Sequence, residues 1–250
     1  MIPKVREWLE TRGFTLEMRT ASAFRLAGFH VRQSSVYVDP KTAKGREIDV
    51  LAIDPDNLGV LEIRFIVECK STKKPWVLLC SADTLVGYNR ISPFAAVSKE
   101  VRDIFVHRLS GFLDKFPWLR KEGLVGYSLR QALSNADAAY AAAATLAKAC
   151  GNFVSAGDGK YTSVLSFGFP VIVIDGPLMR CSLAENGEVR LEEVDQGEFL
   201  FFLGDFGTCI RVVTARCLAA FTLEAKQVAD QLRAELKFAE EQVVKAWKKK

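Results

Sequence analysis

The run Val60-Leu61-Glu62-Ile63-Arg64-Phe65-Ile66-Val67-Glu68-Cys69-Lys70 constrains this chain more than any other stretch and reads as a strand. Side chains of an extended strand point alternately to its two faces. Leu61, Ile63, Phe65, Val67 and Cys69 therefore share one wholly apolar face, and Glu62, Arg64, Ile66, Glu68 and Lys70 share the other. Such a segment belongs in a sheet with its apolar face on a core. Just upstream, Asp54-Pro55-Asp56-Asn57-Leu58-Gly59 combines the residues that favour turns. Residues 47–53 read as a strand, so the three pieces predict an antiparallel hairpin.

The flanking sequence supplies partners for that hairpin. Residues 15–28 predict a helix capped by Thr15 and ended by Gly28, with Leu16, Thr20, Ala23 and Ala27 on one stripe and Glu17, Ala21 and Phe24 beside it. Residues 30–39 are β-rich, with a loop bounded by Pro40 and Gly45, and 75–80 form a short apolar run. Helices are expected over 97–116, ended by Pro117, and over the alanine-rich stretch 129–150. Pro170-Val171-Ile172-Val173-Ile174-Asp175 predicts a buried strand, and 178–194 a hairpin around a two-residue Asn186-Gly187 turn. Strands are also expected at 199–203 and 209–213. Phe221, Ala225, Val228, Leu232, Leu236, Ala239, Val243 and Trp247 mark a long final helix that packs on the body or on a second copy. There is no repeat, low-complexity tract or linker. The expectation is a single domain over 1–250 of class α/β (α+β), with a mixed central sheet flanked by helices, a C-terminal elaboration and a long terminal helix. Its core motifs fall in about 15–75, and about 127–175 completes the core.

Composition narrows the partners. With 49% apolar and 26% charged residues the chain has an ordinary globular make-up, and a net charge of +4 permits nucleic acid without arguing for it. Three terminal lysines, Lys248 to Lys250, read as a solvated tail. Six cysteines include no C-x-x-C pair, and His30 and His107 are the only histidines, which disfavours a zinc-finger site. Scattered cysteines, no signal-like N-terminus and no long uncharged apolar run lead to an expected cytoplasmic protein with no membrane partner.

The chemistry lies on the hairpin. Glu68 and Lys70 stand roughly 7 Å apart on one strand face. On the first strand Ile48, Val50 and Ala52 share a face and Asp49 lies opposite. A hairpin register with an odd residue sum, such as 49 with 68, brings Asp49 to the side of Glu68. Two close carboxylates repel, and burying them is costly unless a cation joins them. Mg²⁺ favours such hard oxygen ligands, polarises a phosphodiester and lowers the pKa of a bound water. A neighbouring lysine orients or deprotonates that water, or stabilises developing negative charge. The competing reading is a solvated polar strand face.

An Asp on one strand and Glu-x-Lys on the next, after an N-terminal helix and strand, resembles the PD-(D/E)xK nuclease superfamily. The resemblance covers about residues 15 to 75 and implies a restriction-endonuclease-like fold. It implies Asp49 and Glu68 as metal ligands, the backbone carbonyl of Cys69 as a further ligand, and Lys70 as the catalytic lysine. Glu17 matches the helix glutamate that some members add near the metal. Ile48 stands where the motif's proline would be, and Gln131 and Tyr140 lack the spacing of the later Gln-to-Tyr motif of one subgroup. The implied activity is Mg²⁺-dependent hydrolysis of DNA, with Mn²⁺ and RNA as alternatives, by an endonuclease that forms a homodimer if the last helix pairs. The rival is an inactive nuclease-fold module that binds nucleic acid or acts as a scaffold. Lys44, Arg46, Lys73 and Lys74 are candidate phosphate contacts and Trp76 a candidate base-stacking residue. A charged turn and a core tryptophan explain the last three equally well. Glu47 reads as a surface strand acid or a partner of Arg46.

Overall fold

The computed structural model describes residues 1–39, 42–88, 93–112, 116–119, 124–134, 138–155 and 164–248. Pro40, positions 113–115 of the expected helix, the His107 side chain, Lys249 and Lys250 lie outside the described residues. The elements are α1 (Ile2–Thr11), α2 (Phe14–Leu26), β1 (His30–Val38), β2 (Gly45–Ile53), β3 (Leu61–Lys70), β4 (Trp76–Cys80), β5 (Ala96–Val97), α3 (Lys99–Phe112), β6 (Gly126–Gln131), α4 (Ala138–Ser155), β7 (Leu165–Ile174), β8 (Leu178–Leu183), β9 (Val189–Val194), β10 (Gln196–Leu203), β11 (Phe206–Thr214) and α5 (Leu218–Trp247).

The described strands form one mixed sheet in the order β1-β2-β3-β7-β11-β10-β6-β4-β8-β9, with β5 on β7. The antiparallel hairpin β2–β3 is present, and β3 then runs parallel to β7 from Leu61↔Leu165 to Lys70↔Ile174. All of β7 is buried, because helices cover both faces of this central parallel pair. That is why its sequence is a continuous apolar run rather than an alternating one.

Two cores sandwich the sheet. On one side Leu61, Ile63, Phe65, Val67 and Cys69 pack with Leu16 and Phe24 of α2, Phe105 of α3 and Phe221 of α5. On the other side Ile66, Ile172 and Ile174 pack with Ala142, Ala143 and Leu146 of α4. The sheet curls around α4, which touches β7, β3, β10, β6 and β11. As a result the start of β4 returns to the end of β3: Gln131, the last residue of β6, donates from Nε2 to Thr72 Oγ1 just after β3, at 3.0 Å.

Several local expectations change. α2 begins after Gly13, not at a Thr15 cap. Gly13 sits at φ 85°, a left-handed conformation that turns the chain out of α1 at little steric cost. Helix α1 itself was not expected, and it buries none of its residues. Residues 129–131 are strand, since Leu129 pairs with Leu78 of β4, and the alanine-rich helix starts only at Ala138. Ladder bonding overrides helix propensity there. The β8–β9 loop holds three residues, not two: Ala184 and Glu188 are bonded at 2.8 Å, and Gly187 takes φ 82°. A glycine in that conformation closes three-residue hairpins. Residues 96 and 97 add a short strand to β7, so α3 starts at Lys99.

The last helix packs on the body. Phe221, Ala225, Val228, Leu232 and Leu236 are buried, and Ala239 and Val243 are partly so. Its anchor is Asp54, the fully buried first residue of the hairpin turn. Lys226 Nζ donates to Asp54 Oδ1 at 2.7 Å, Arg233 Nε donates to Oδ2, and Arg233 also donates to the Asp54 and Leu61 carbonyls. None of the described helices is long and apolar enough to cross a membrane.

Candidate active-site cleft

The β2–β3 pairs run Val50↔Val67, Leu51↔Ile66, Ala52↔Phe65 and Ile53↔Arg64, each with an odd residue sum. The ladder ends at Val50↔Val67, and Asp49 lies one residue beyond that pair. The site depends on a local irregularity as well. On β1 the neighbour of Asp49 is Ser34, which has φ 51°, and the β1–β2 ladder omits that pair. Side chains of β2 change sides here: Val50 and Ala52 lie in the α2 and α5 core, whereas Ile48 lies in the α4 core. The expectation that Ile48 shares a face with Val50 and Ala52 is therefore corrected. Simple alternation ends at Asp49, where the paired strands bend.

Asp49 reaches across to β3, where its Oδ2 accepts the Cys69 backbone N–H at 2.7 Å. Lys70 Nζ donates to Glu68 Oε2 at 2.9 Å. Both Asp49 and Lys70 line a cleft of about 440 Å³ at the end of the sheet, together with Glu17, Cys69, Arg12 and Thr72. Glu68 is only 6% exposed and meets the cleft through its pair with Lys70. Its strand face is therefore not solvated, because Ile66 beside it is packed under α4.

Burial sets the electrostatics. It raises the Glu68 carboxyl to about 7, and nearby Asp49 adds to the rise while Lys70 opposes it. Glu17 is likewise pushed to about 7 by burial and by the charges of Asp49 and Glu47. Asp49 is raised by burial although the Cys69 N–H and Lys70 favour its charge. For Lys70, burial pulls the ammonium's pKa down, but Glu68 and Asp49 outweigh that and raise it. Three carboxylates thus feel one another's charge around one held ammonium. The Cys69 thiol is buried, so its proton is held tightly, and it faces Thr20 rather than the cleft chemistry.

These donors suit a hard divalent cation. Each carboxylate destabilises its neighbours when charged, which is the strain a cation relieves, and Mg²⁺ needs only one or two protein carboxylates alongside waters. Among the described residues no group of three or more His, Cys, Asp or Glu side chains is close enough to hold a metal by itself. Asp49 and Glu17, which both line the cleft, are accordingly the direct candidates, with Glu68 beside them.

The remaining candidates separate. Trp76 is 0% exposed and packs in the α4 core, so base stacking on it is excluded. Trp76 is nonetheless among the residues around the cleft, and its buried Nε1 has no hydrogen-bond partner among the described residues. Lys73 and Lys74 are exposed in the loop after β3. Lys44 and Arg46 are exposed at the far end of the β1–β2 pair, outside the cleft lining, and Arg46 lies 3.8 Å from the buried Asp39, which Lys148 also binds. Glu47 is exposed and influences Glu17 and Asp49 through its charge.

The sequence reading missed Asp175. Because β3 and β7 are parallel and in register, Asp175 follows Ile174 beside Lys70. Its carboxylate accepts from Ser71 Oγ at 2.6 Å and from the Thr72 backbone N–H at 2.7 Å, which fixes the chain leaving the motif. The available signal was a charged residue closing an otherwise apolar strand. No protein-family model, curated protein or solved structure matches this chain.

Proposed function

We propose that this chain is a Mg²⁺-dependent nuclease that hydrolyses phosphodiester bonds in DNA, on a restriction-endonuclease-like fold. What carries the reading is Asp49 bonded across the hairpin to the Cys69 N–H, next to Glu68 and its partner Lys70, with Glu17 lining the same cleft as Asp49 and Lys70. Asp49 would hold the cation with one further carboxylate, Glu17 or Glu68, and bound waters, and the Cys69 carbonyl would add an oxygen at that point. Bound there, Mg²⁺ supplies a more acidic water and a polarised phosphate. The Cys69 N–H fixes the orientation of Asp49. Lys70 stays an ammonium in the metal-free cluster, which suits it to hold a phosphate oxygen and stabilise the charge that grows as water attacks in line. Mn²⁺ has the same ligand preferences and should substitute.

The test is cleavage of plasmid, single-stranded DNA and RNA with Mg²⁺, Mn²⁺ or EDTA. Asp49→Ala and Lys70→Ala should each lower the rate by about 10²- to 10⁴-fold, the range for a positioned catalytic group. Undiminished metal-dependent cleavage by both variants overturns the site. Absence of cleavage by the wild type on every substrate favours a nucleic-acid-binding module without catalysis.

A further inference from the structure

Strands β6 and β10 lie side by side in the sheet, yet their ladder consists of one pair, Phe199↔Gly126. Beyond it the strands part. No ladder joins 128–131 to 200–203 among the described residues. The N-terminal turn of α4 roofs the resulting gap, which forms a pocket of about 270 Å³. Aromatic residues are prominent in its lining: Tyr127 from β6, Tyr140 from α4 and Phe199 and Phe201 from β10, while the ring of Phe202 packs against Tyr88. Tyr127 and Tyr140 are 57% and 54% exposed, although aromatic rings dominate core and interface energetics when buried. Tyr140 and Phe201 meet edge to face at 5.7 Å, and Arg130 lines the same pocket.

The pocket adjoins the cleft. Arg130 and Ala139 line the pocket, while their chain neighbours Gln131 and Ala138 line the cleft that holds Asp49 and Lys70. The two linings are therefore contiguous along β6 and at the start of α4. The volume is just below the roughly 300–1,000 Å³ of small-ligand pockets, which suits one planar base and excludes a base-paired helix.

We propose that this pocket receives an unpaired nucleobase of the strand whose phosphate lies in the cleft, with Tyr140 and Tyr127 stacking on it and Arg130 beside it. The inference rests on the nuclease reading and specifies its substrate: a nucleic acid that is single-stranded next to the scissile bond. Stacking on aromatic side chains accepts any base, so the pocket selects strandedness rather than sequence.

The experiment measures binding in EDTA, separately from cleavage, by fluorescence anisotropy of a labelled oligothymidylate, a fully abasic strand and a blunt duplex of equal length. The wild type should bind the oligothymidylate at least about tenfold more tightly than the abasic strand, as expected for a base–aromatic stack. Tyr127→Ala/Tyr140→Ala should lose that preference while still unfolding in one cooperative thermal transition, since both side chains are more than half exposed. Tyr127→Phe/Tyr140→Phe should retain it. Metal-dependent cleavage of DNA with no preference for bases over abasic sites, or with an alanine variant that binds like the wild type, overturns the pocket and leaves the nuclease. Neither binding nor cleavage of any nucleic acid overturns both.

Discussion

Glu17 and Glu68 hold protons to about pH 7 because burial and neighbouring carboxylates disfavour their charge. A carboxyl with a raised folded pKa binds its proton more tightly folded than unfolded. It therefore favours the folded state below that pKa and opposes it above. In EDTA, the protein should lose stability as pH rises from about 4.5 to about 7. Urea midpoints across that range check this, and Glu17→Gln should flatten the profile. A bound cation favours the ionised forms and binds only the folded site, so Mg²⁺ should raise the melting temperature more at pH 8 than at pH 5.5. Equal shifts at both values would count against carboxylate ligands. Cation binding should also release protons near neutrality, which calorimetry in buffers of different ionisation enthalpy detects.

Among the elements, two junctions hold the site hairpin in place. The first is the clamp of α5 on Asp54. Arg233 satisfies that buried carboxylate and two backbone carbonyls. Removing one partner of a buried ion pair leaves an uncompensated charge. Arg233→Ala should cost about 3 kcal/mol in urea unfolding, with Lys226 limiting the loss. The second junction is the turn from α1 to α2. Gly13 has positive φ, and a Cβ there would stand 3.2 Å from that of Ser71. Gly13→Ala should cost about 1–2 kcal/mol from backbone strain. It should also lower cleavage beyond the loss of folded protein, because Gly13 and Ser71 both line the cleft.

For the whole molecule the decisive feature is a sheet that curls about one helix. Helix α4 packs against strands from both halves of the sheet, including β3, which carries Glu68 and Lys70. That closure brings Gln131 to Thr72 and Trp76 to the cleft wall, though β7, β11 and β10 separate β3 from β6. Leu146 is fully buried in this interface. Leu146→Ala should cost about 2–5 kcal/mol through the cavity it leaves. Its effect on kcat/KM, measured well below the melting point, should exceed that of an equally destabilising change in the opposite core, such as Leu232→Ala. Equal effects would mean that α4 supports the fold without shaping the site.

Local pattern determined the hairpin and the face of Glu68 and Lys70, because a period of two and a turn-rich insert leave a strand few choices. It likewise determined the apolar stripe of α5. Those signals are properties of residues close in sequence. The side of the sheet taken by Ile48, the bend at Ser34 and Asp49, and the strand state of 129–131 were decided by partners far away along the chain. So were the burial of Trp76 and the place of Asp175, which depend on α4 and on the parallel register of β3 with β7. The sequence alone placed two carboxylates and an amine on one hairpin. Tertiary packing buried Glu68, drew Asp49 and Lys70 partly out of water and added Glu17 to the same cleft, which raised the cost of the carboxylates' charge.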